Sequence, residues 1–178
     1  MYNKYSRIDT ILIGCLSYYS QNKESLQKLK DVIDPVKMEN KRKISLRVFD
    51  YFVTTYSKTN NLSIGENFFN VHSEYKSQLF LYNKNFFDPF CRVQKKNSYT
   101  KIELNIDIDT NEQDFCVLNE NVRPDLALGL NSKSVIVVNI ETEDFQLRVS
   151  LGQLNFFKWA IETGVYEYIC NNIKSITI

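Results

Sequence analysis

The chain has 178 residues, enough for one domain with a genuine core and too few for two comfortable ones. Hydrophobic residues make up 43% and charged residues 24%, the composition of a soluble globular protein, which excludes a disordered or fibrous chain. Twenty-two lysines and arginines against twenty-one aspartates and glutamates leave a formal charge of +1, so no global field draws the protein to nucleic acid or an anionic membrane.

The first apolar run, Thr10-Ile11-Leu12-Ile13-Gly14-Cys15-Leu16, is too short to span a bilayer and lacks a clear cleavage site, so it reads as a core element and not as an export signal. Asn22 then caps a helix with Leu26, Leu29, Val32 and Ile33 at helical spacing, ended by Pro35. Residues 36–43 are polar and basic and form a solvated connector. Residues 1–44 are thus a helical N-terminal extension or connector, and 45–178 the core of a single domain.

Ser45 caps the next predicted helix, whose residues Val48, Phe49, Phe52, Val53 and Tyr56 share one broad apolar face. A third helix is predicted over 71–82, with Val71, Tyr75, Gln78, Leu79 and Tyr82 at three- and four-residue spacing and Glu74, Lys76 and Lys84 on its other face. Asp88-Pro89 stops it, because proline fixes its own φ and pushes the preceding residue out of helical geometry. Phe86, Phe87 and Phe90 then fold back to lock this helix onto the sheet.

Beyond residue 98 the period changes to two. Tyr99, Ile102, Leu104, Ile106 and Ile108 largely alternate with polar residues, as in a half-buried strand. Phe115 to Leu118 makes a short strand, and 126–130 and 135–140 flank a turn-rich connection as a hairpin. Phe145 to Val149 adds another strand. Gly152 opens a final helix carrying Leu154, Phe157, Ala160, Ile161, Tyr168 and Ile169, which Gly164 interrupts. The expected class is α+β: N-terminal helices, an antiparallel sheet, and a C-terminal helix packed on the sheet.

Three constellations are candidates for function. Aromatic and basic residues interleave in Tyr82, Lys84, Phe86, Phe87, Arg92, Lys95 and Lys96, where exposed rings would stack on bases while cations hold phosphates. Phe156, Phe157 and Trp159 span more of the last helix than one buried face needs, which makes Phe156 and Trp159 candidates for an interface with another chain or with the sheet's flank. The third is Arg123-Pro124-Asp125 followed by the strand ending in Glu141, which resembles the core of the PD-(D/E)xK nucleases.

That nuclease resemblance implies Asp125 and Glu141 as two carboxylates around Mg²⁺, the one cofactor any of these readings calls for. The lysine expected two residues after the glutamate is replaced by Glu143, which changes how an attacking water is polarised, and Lys133 is the remaining nearby cation. Other chemistry is disfavoured. Cys15, Cys91, Cys116 and Cys170 are scattered without a CxxC, and His72 is the only histidine, so a zinc site and histidine-dependent nucleophilic catalysis are both disfavoured. Free thiols fit a reducing compartment, hence a cytosolic protein. No phosphate-cradling glycine motif is present.

The segments Tyr51 to Lys58, Phe69 to Leu79, Phe87 to Arg92 and Gly152 to Ile161 together resemble an uncharacterised protein family of nucleocytoplasmic large DNA viruses. The resemblance implies a viral protein of the host cytoplasm or the virion, and it carries over no catalytic residue. The leading expectation is a non-enzymatic protein acting through protein contacts or self-association. A nucleic-acid-binding module comes next, and a Mg²⁺-dependent nuclease last.

Overall fold

The computed structural model describes residues 7–34, 44–65, 69–90, 100–109 and 134–176. The expected strand at Phe115 to Leu118, the hairpin arm at 126–130, the connector at 36–43, and Cys91, Cys116 and Lys133 lie outside these residues.

Two helices open the chain, α1 (Arg7–Gln21) and α2 (Lys23–Ile33). The first apolar run is therefore the buried face of a helix, with Ile11, Leu12, Cys15, Leu16 and Tyr19 inside. Leu26, Leu29 and Val32 of α2 are buried as their spacing predicts. Helix α3 (Leu46–Tyr51) runs on through a π-helical stretch (Phe52–Tyr56) and a short α-helical turn (Ser57–Thr59). Inside this segment Thr54 Oγ1 donates to the Asp50 carbonyl (2.6 Å) and Ser57 Oγ to that of Val53 (3.3 Å), the local back-bonding by which Ser and Thr distort a helix. His72 Nδ1 lies 3.0 Å from the Val53 carbonyl, which can only accept, so the proton sits on Nδ1.

A small antiparallel pair, β1 (Ser63–Ile64) and β2 (Phe69–Asn70), leads into α4 (Val71–Phe86). Asn70 caps α4, its side-chain oxygen accepting from the Ser73 amide at 2.9 Å. Next come β3 (Thr100–Asp107), β4 (Ser134–Glu141), β5 (Gln146–Ser150), α5 (Leu151–Glu162) and α6 (Val165–Asn172). Gly164, at φ 78°, separates the last two helices where the sequence placed an interruption.

The fold is α+β with the C-terminal helix on the sheet, as expected. The sheet itself is mixed. Its order is β3-β4-β5, with β3 and β4 parallel and β4 and β5 antiparallel. A tight turn joins β4 to β5, so among the described residues the hairpin partner of β4 is β5. A purely antiparallel sheet was expected because period-two alternation fixes faces, not strand direction. Burial along β4 was the available clue: Val135 to Val138 are all buried, the continuous apolar run typical of a strand covered on both faces.

One face of the sheet, with Leu104, Ile106, Ile136, Val138, Ile140, Leu147 and Val149, is buried in the main core. Helix α5 packs against β4 and β5 there and also touches α1, α2, α4 and α6. It is the central element, which is why Leu151 to Phe157, Trp159 and Ala160 are all buried.

Candidate functional site

The segment Asn85 to Phe90 is built into the fold by the first turn of α5. Ser150 and Gln153 form a capping box, with the Gln153 amide donating to Ser150 Oγ (3.1 Å) and the Ser150 amide to Gln153 Oε1 (3.0 Å). The same turn grips the end of α4. Gln153 Nε2 donates to the Pro89 carbonyl (3.2 Å), Asn155 Nδ2 to that of Phe86 (2.9 Å), and the Asp88 amide to that of Gly152 (3.2 Å). Gly152 is required by proximity, since a Cβ there would stand 2.9 Å from the Asn85 carbonyl oxygen. The glycine, glutamine and asparagine of the Gly152-Gln153-Leu154-Asn155 stretch thus have one shared task.

This clamp corrects two expectations. Phe86 and Phe87 are buried, and Phe87 (0% exposed) packs at ring-centroid distances of 5.4 Å from Phe156, 5.5 Å from Trp159 and 6.1 Å from Tyr82. Neither phenylalanine can stack on a nucleic-acid base. They lock α4 chiefly to α5 rather than directly to the sheet. Phe156 and Trp159 (7% exposed) are likewise interior and do not form an exposed interface. Aromatics ring α5 because it is buried on all sides, the situation in which a helix is apolar all round.

The remaining nucleic-acid candidates divide. Tyr82 is half-buried beneath the cluster, and Lys84 is exposed. Arg92, Lys95 and Lys96 lie outside the described residues, as does Asp125. Glu141 is exposed at the end of β4, in register with Asp107 on β3 and Gln146 on β5, whose Nε2 donates to it at 3.0 Å. Among the described residues no group of three or more His, Cys, Asp or Glu is placed to hold a metal ion.

The outer face of α4 carries a feature that sequence reasoning missed. Phe80 is 92% exposed and Leu81 47% exposed, the two large exposed hydrophobic side chains among the described residues. Lys76 stands four residues before Phe80 on the same helix face, and Lys84 follows four residues after it, beyond the break at Asn83; both are exposed. Neither has an ion-pair partner among the described residues. The signal was legible in the spacing: Phe80 falls on the face already assigned to Lys76 and Lys84, away from Val71, Tyr75 and Tyr82.

A strained residue follows directly. Asn83 has φ 55° and ψ 173°, a positive φ that a non-glycine residue rarely adopts. Its side-chain oxygen accepts from the Asn85 amide (2.9 Å). Such a conformation costs ~1–3 kcal/mol and persists only where its surroundings enforce it. Here the enforcement comes from the clamp on residues 85–89, which turns the chain inward and leaves Phe80 and Leu81 outside.

The second surface is the polar face of the sheet, where Lys101, Glu103, Asn105 and Asp107 alternate along β3. Lys101 and Arg148 both bind Glu103 and hold its carboxyl down to about 2. Asn139 Nδ2 donates to Asn105 Oδ1 at 2.9 Å.

The profile of DUF7197, described as a family of unknown function, matches residues 4–121. The uncharacterized protein L507 of Acanthamoeba polyphaga mimivirus is 36% identical over 155 residues, a match that covers 83% of this chain and 46% of the relative. The chain therefore spans less than half the length of this curated relative. No solved structure matches. No helix among the described residues is long and apolar enough to cross a membrane.

Proposed function

The chain belongs to the DUF7197 family, and from that premise we propose that it is a non-enzymatic viral protein whose outer α4 face docks a protein partner in the host cytoplasm or the virion. One observation carries this reading: Phe80 is 92% exposed, with Leu81 beside it, on a helix whose other apolar residues are drawn toward the core. A lone exposed leucine needs no explanation. A phenylalanine left almost wholly exposed, flanked by two lysines without an ion-pair partner among the described residues and followed by a strained residue, has the makeup of an anchor with a polar rim.

Charge complementarity defines the partner. It offers an apolar cleft for Phe80 and Leu81, rimmed by carboxylates that meet Lys76 and Lys84. Self-association through this face is disfavoured, because a symmetric contact would bring these lysines toward their own copies. No metal or cofactor takes part in this reading.

The test uses fluorescence anisotropy with a labelled amphipathic helical peptide bearing leucines on one face bordered by glutamates. A lysine-bordered peptide and single- and double-stranded DNA and RNA, with and without Mg²⁺, serve as comparisons. The acidic peptide should bind, Phe80→Ser should weaken it about tenfold, and Lys76→Glu combined with Lys84→Glu should do the same. Absence of binding by the acidic peptide overturns the proposal. So does tighter, steeply salt-dependent oligonucleotide binding lost in the same variants, which would assign the face to nucleic acid. Mg²⁺-dependent cleavage would overturn the non-enzymatic reading itself.

A further inference from the structure

Strand β5 lies at one end of the order β3-β4-β5, so its outer edge has no described strand beside it. The hairpin shows which backbone groups face that edge. The Thr142 amide donates to the Phe145 carbonyl (2.9 Å), which makes these two a hydrogen-bonded pair. Bonded and non-bonded pairs alternate along an antiparallel ladder. The register then makes Ile140 with Leu147 and Val138 with Val149 bonded pairs, and Glu141 with Gln146 and Asn139 with Arg148 non-bonded pairs. The N–H and C=O groups of Gln146 and Arg148 therefore point away from β4.

Burial agrees with this assignment. Leu147 and Val149 are 2% and 1% exposed, whereas Gln146 and Arg148 are exposed. Ser150 is the next outward-facing residue, and its amide is already engaged by Gln153 Oε1 (3.0 Å). Among the described residues the open part of the edge is thus the stretch from Gln146 to Arg148.

That stretch borders a cavity of about 600 Å³, a size typical of ligand sites. Asn139 and Glu141 of β4 also line it, and Ile33 and Asp34, at the end of α2, form another part of its wall. Of the charged groups in its lining, Arg148 is bound to Glu103 (2.7 Å), and Asp34 is approached at a loose 3.8 Å by Lys30 from outside the lining. Among the described residues Glu141 is met by the neutral Gln146 amide alone. The lining thus carries two carboxylates, Asp34 and Glu141, against one cation, Arg148.

We propose that the β5 edge takes up an extended, basic peptide as an added strand, bonded to the backbone of Gln146 and Arg148. Side chains of an extended strand alternate between faces. The set on the cavity side carries cations to Asp34 and Glu141. Addition at an exposed edge draws affinity from main-chain hydrogen bonds and specificity from the alternate side chains. Phosphate-bearing ligands fit poorly beside these carboxylates. This surface is distinct from the outer face of α4, and so is its partner.

The experiment uses the full chain and a fluorescein-labelled eight-residue peptide of alternating valine and lysine, read by anisotropy. Its comparisons are a valine–glutamate peptide and two valine–lysine peptides N-methylated on odd or on even backbone amides. The unmodified basic peptide should bind, the acidic one about tenfold more weakly, and at least one of the methylated pair about tenfold more weakly, since one set of amides must face β5. Asp34→Asn combined with Glu141→Gln should weaken binding about fivefold without changing the melting temperature. Phe80→Ser should leave it unchanged, so failure at this site and failure of the α4 reading are told apart. Absence of binding, equal binding of acidic and basic peptides, or indifference to both methylation patterns overturns the proposal.

Discussion

The two faces of α4 have opposite fates. Its inner face, with Val71, Tyr75 and the half-buried Tyr82, continues through the Asn83 break into Phe86 and Phe87 and joins the aromatic cluster on α5. Its outer face sends Phe80 and Leu81 into solvent between two lysines. Both faces contain large apolar side chains, so hydrophobicity alone does not separate them. The difference lies in what the rest of the chain supplies. On the inner side Gln153 and Asn155 donate to the carbonyls of Pro89 and Phe86 and the Gly152 carbonyl accepts from the Asp88 amide, and nothing comparable covers the outer side among the described residues.

The largest effect should come from emptying the inner side. Phe87→Ala removes a ring that touches Tyr75, Tyr82, Phe156 and Trp159, and should cost ~3–5 kcal/mol in denaturant unfolding. A cost below ~1 kcal/mol would mean that the α4 end is not anchored in the core. A smaller loss is expected for Gly152→Ala, and its sign is the informative part. Alanine is the better helix former by ~1 kcal/mol, so a free helix start would be stabilised. With the Asn85 carbonyl 2.9 Å from the new methyl, the backbone must shift, and the change should instead destabilise by ~1–3 kcal/mol. A rise in melting temperature would show that the clamp is not closed in solution.

Much of this comparison was legible in the residues. Helical spacing located α2, α3 and α4, and period-two alternation located β3, because both patterns report a single buried face, whereas β4 was read from an apolar run beside a turn-rich connection. The Asp88-Pro89 stop and the inward return of Phe86 and Phe87 followed from backbone chemistry and aromatic burial. Strand direction was not legible: the alternation of β3 is the same whether β4 runs with it or against it. The placement of α5 was misjudged for a related reason. Aromatics on every side of a helix signal complete burial or a second partner equally well, and only the surrounding helices decide between them. The clamp was hidden for another reason, since Gln153 and Asn155 bond to carbonyls more than sixty residues away and no local pattern records such a pairing.

The smallest expected effect bears most directly on function. Phe80→Ser should change unfolding stability by no more than ~0.5 kcal/mol, because an almost fully exposed ring has little burial to lose. Paired with Phe87→Ala, it turns the two faces into a quantitative contrast: seven residues apart, one on α4 and one just past its end, one phenylalanine should matter to recognition and the other to the fold. Destabilisation by ~2 kcal/mol or more would place Phe80 within the folded core and remove the basis for an anchor. An unchanged melting curve together with about tenfold weaker binding of the acidic peptide would separate recognition from stability. That separation is what a docking face requires, because a ring selected to meet a partner is free to leave the unbound fold untouched.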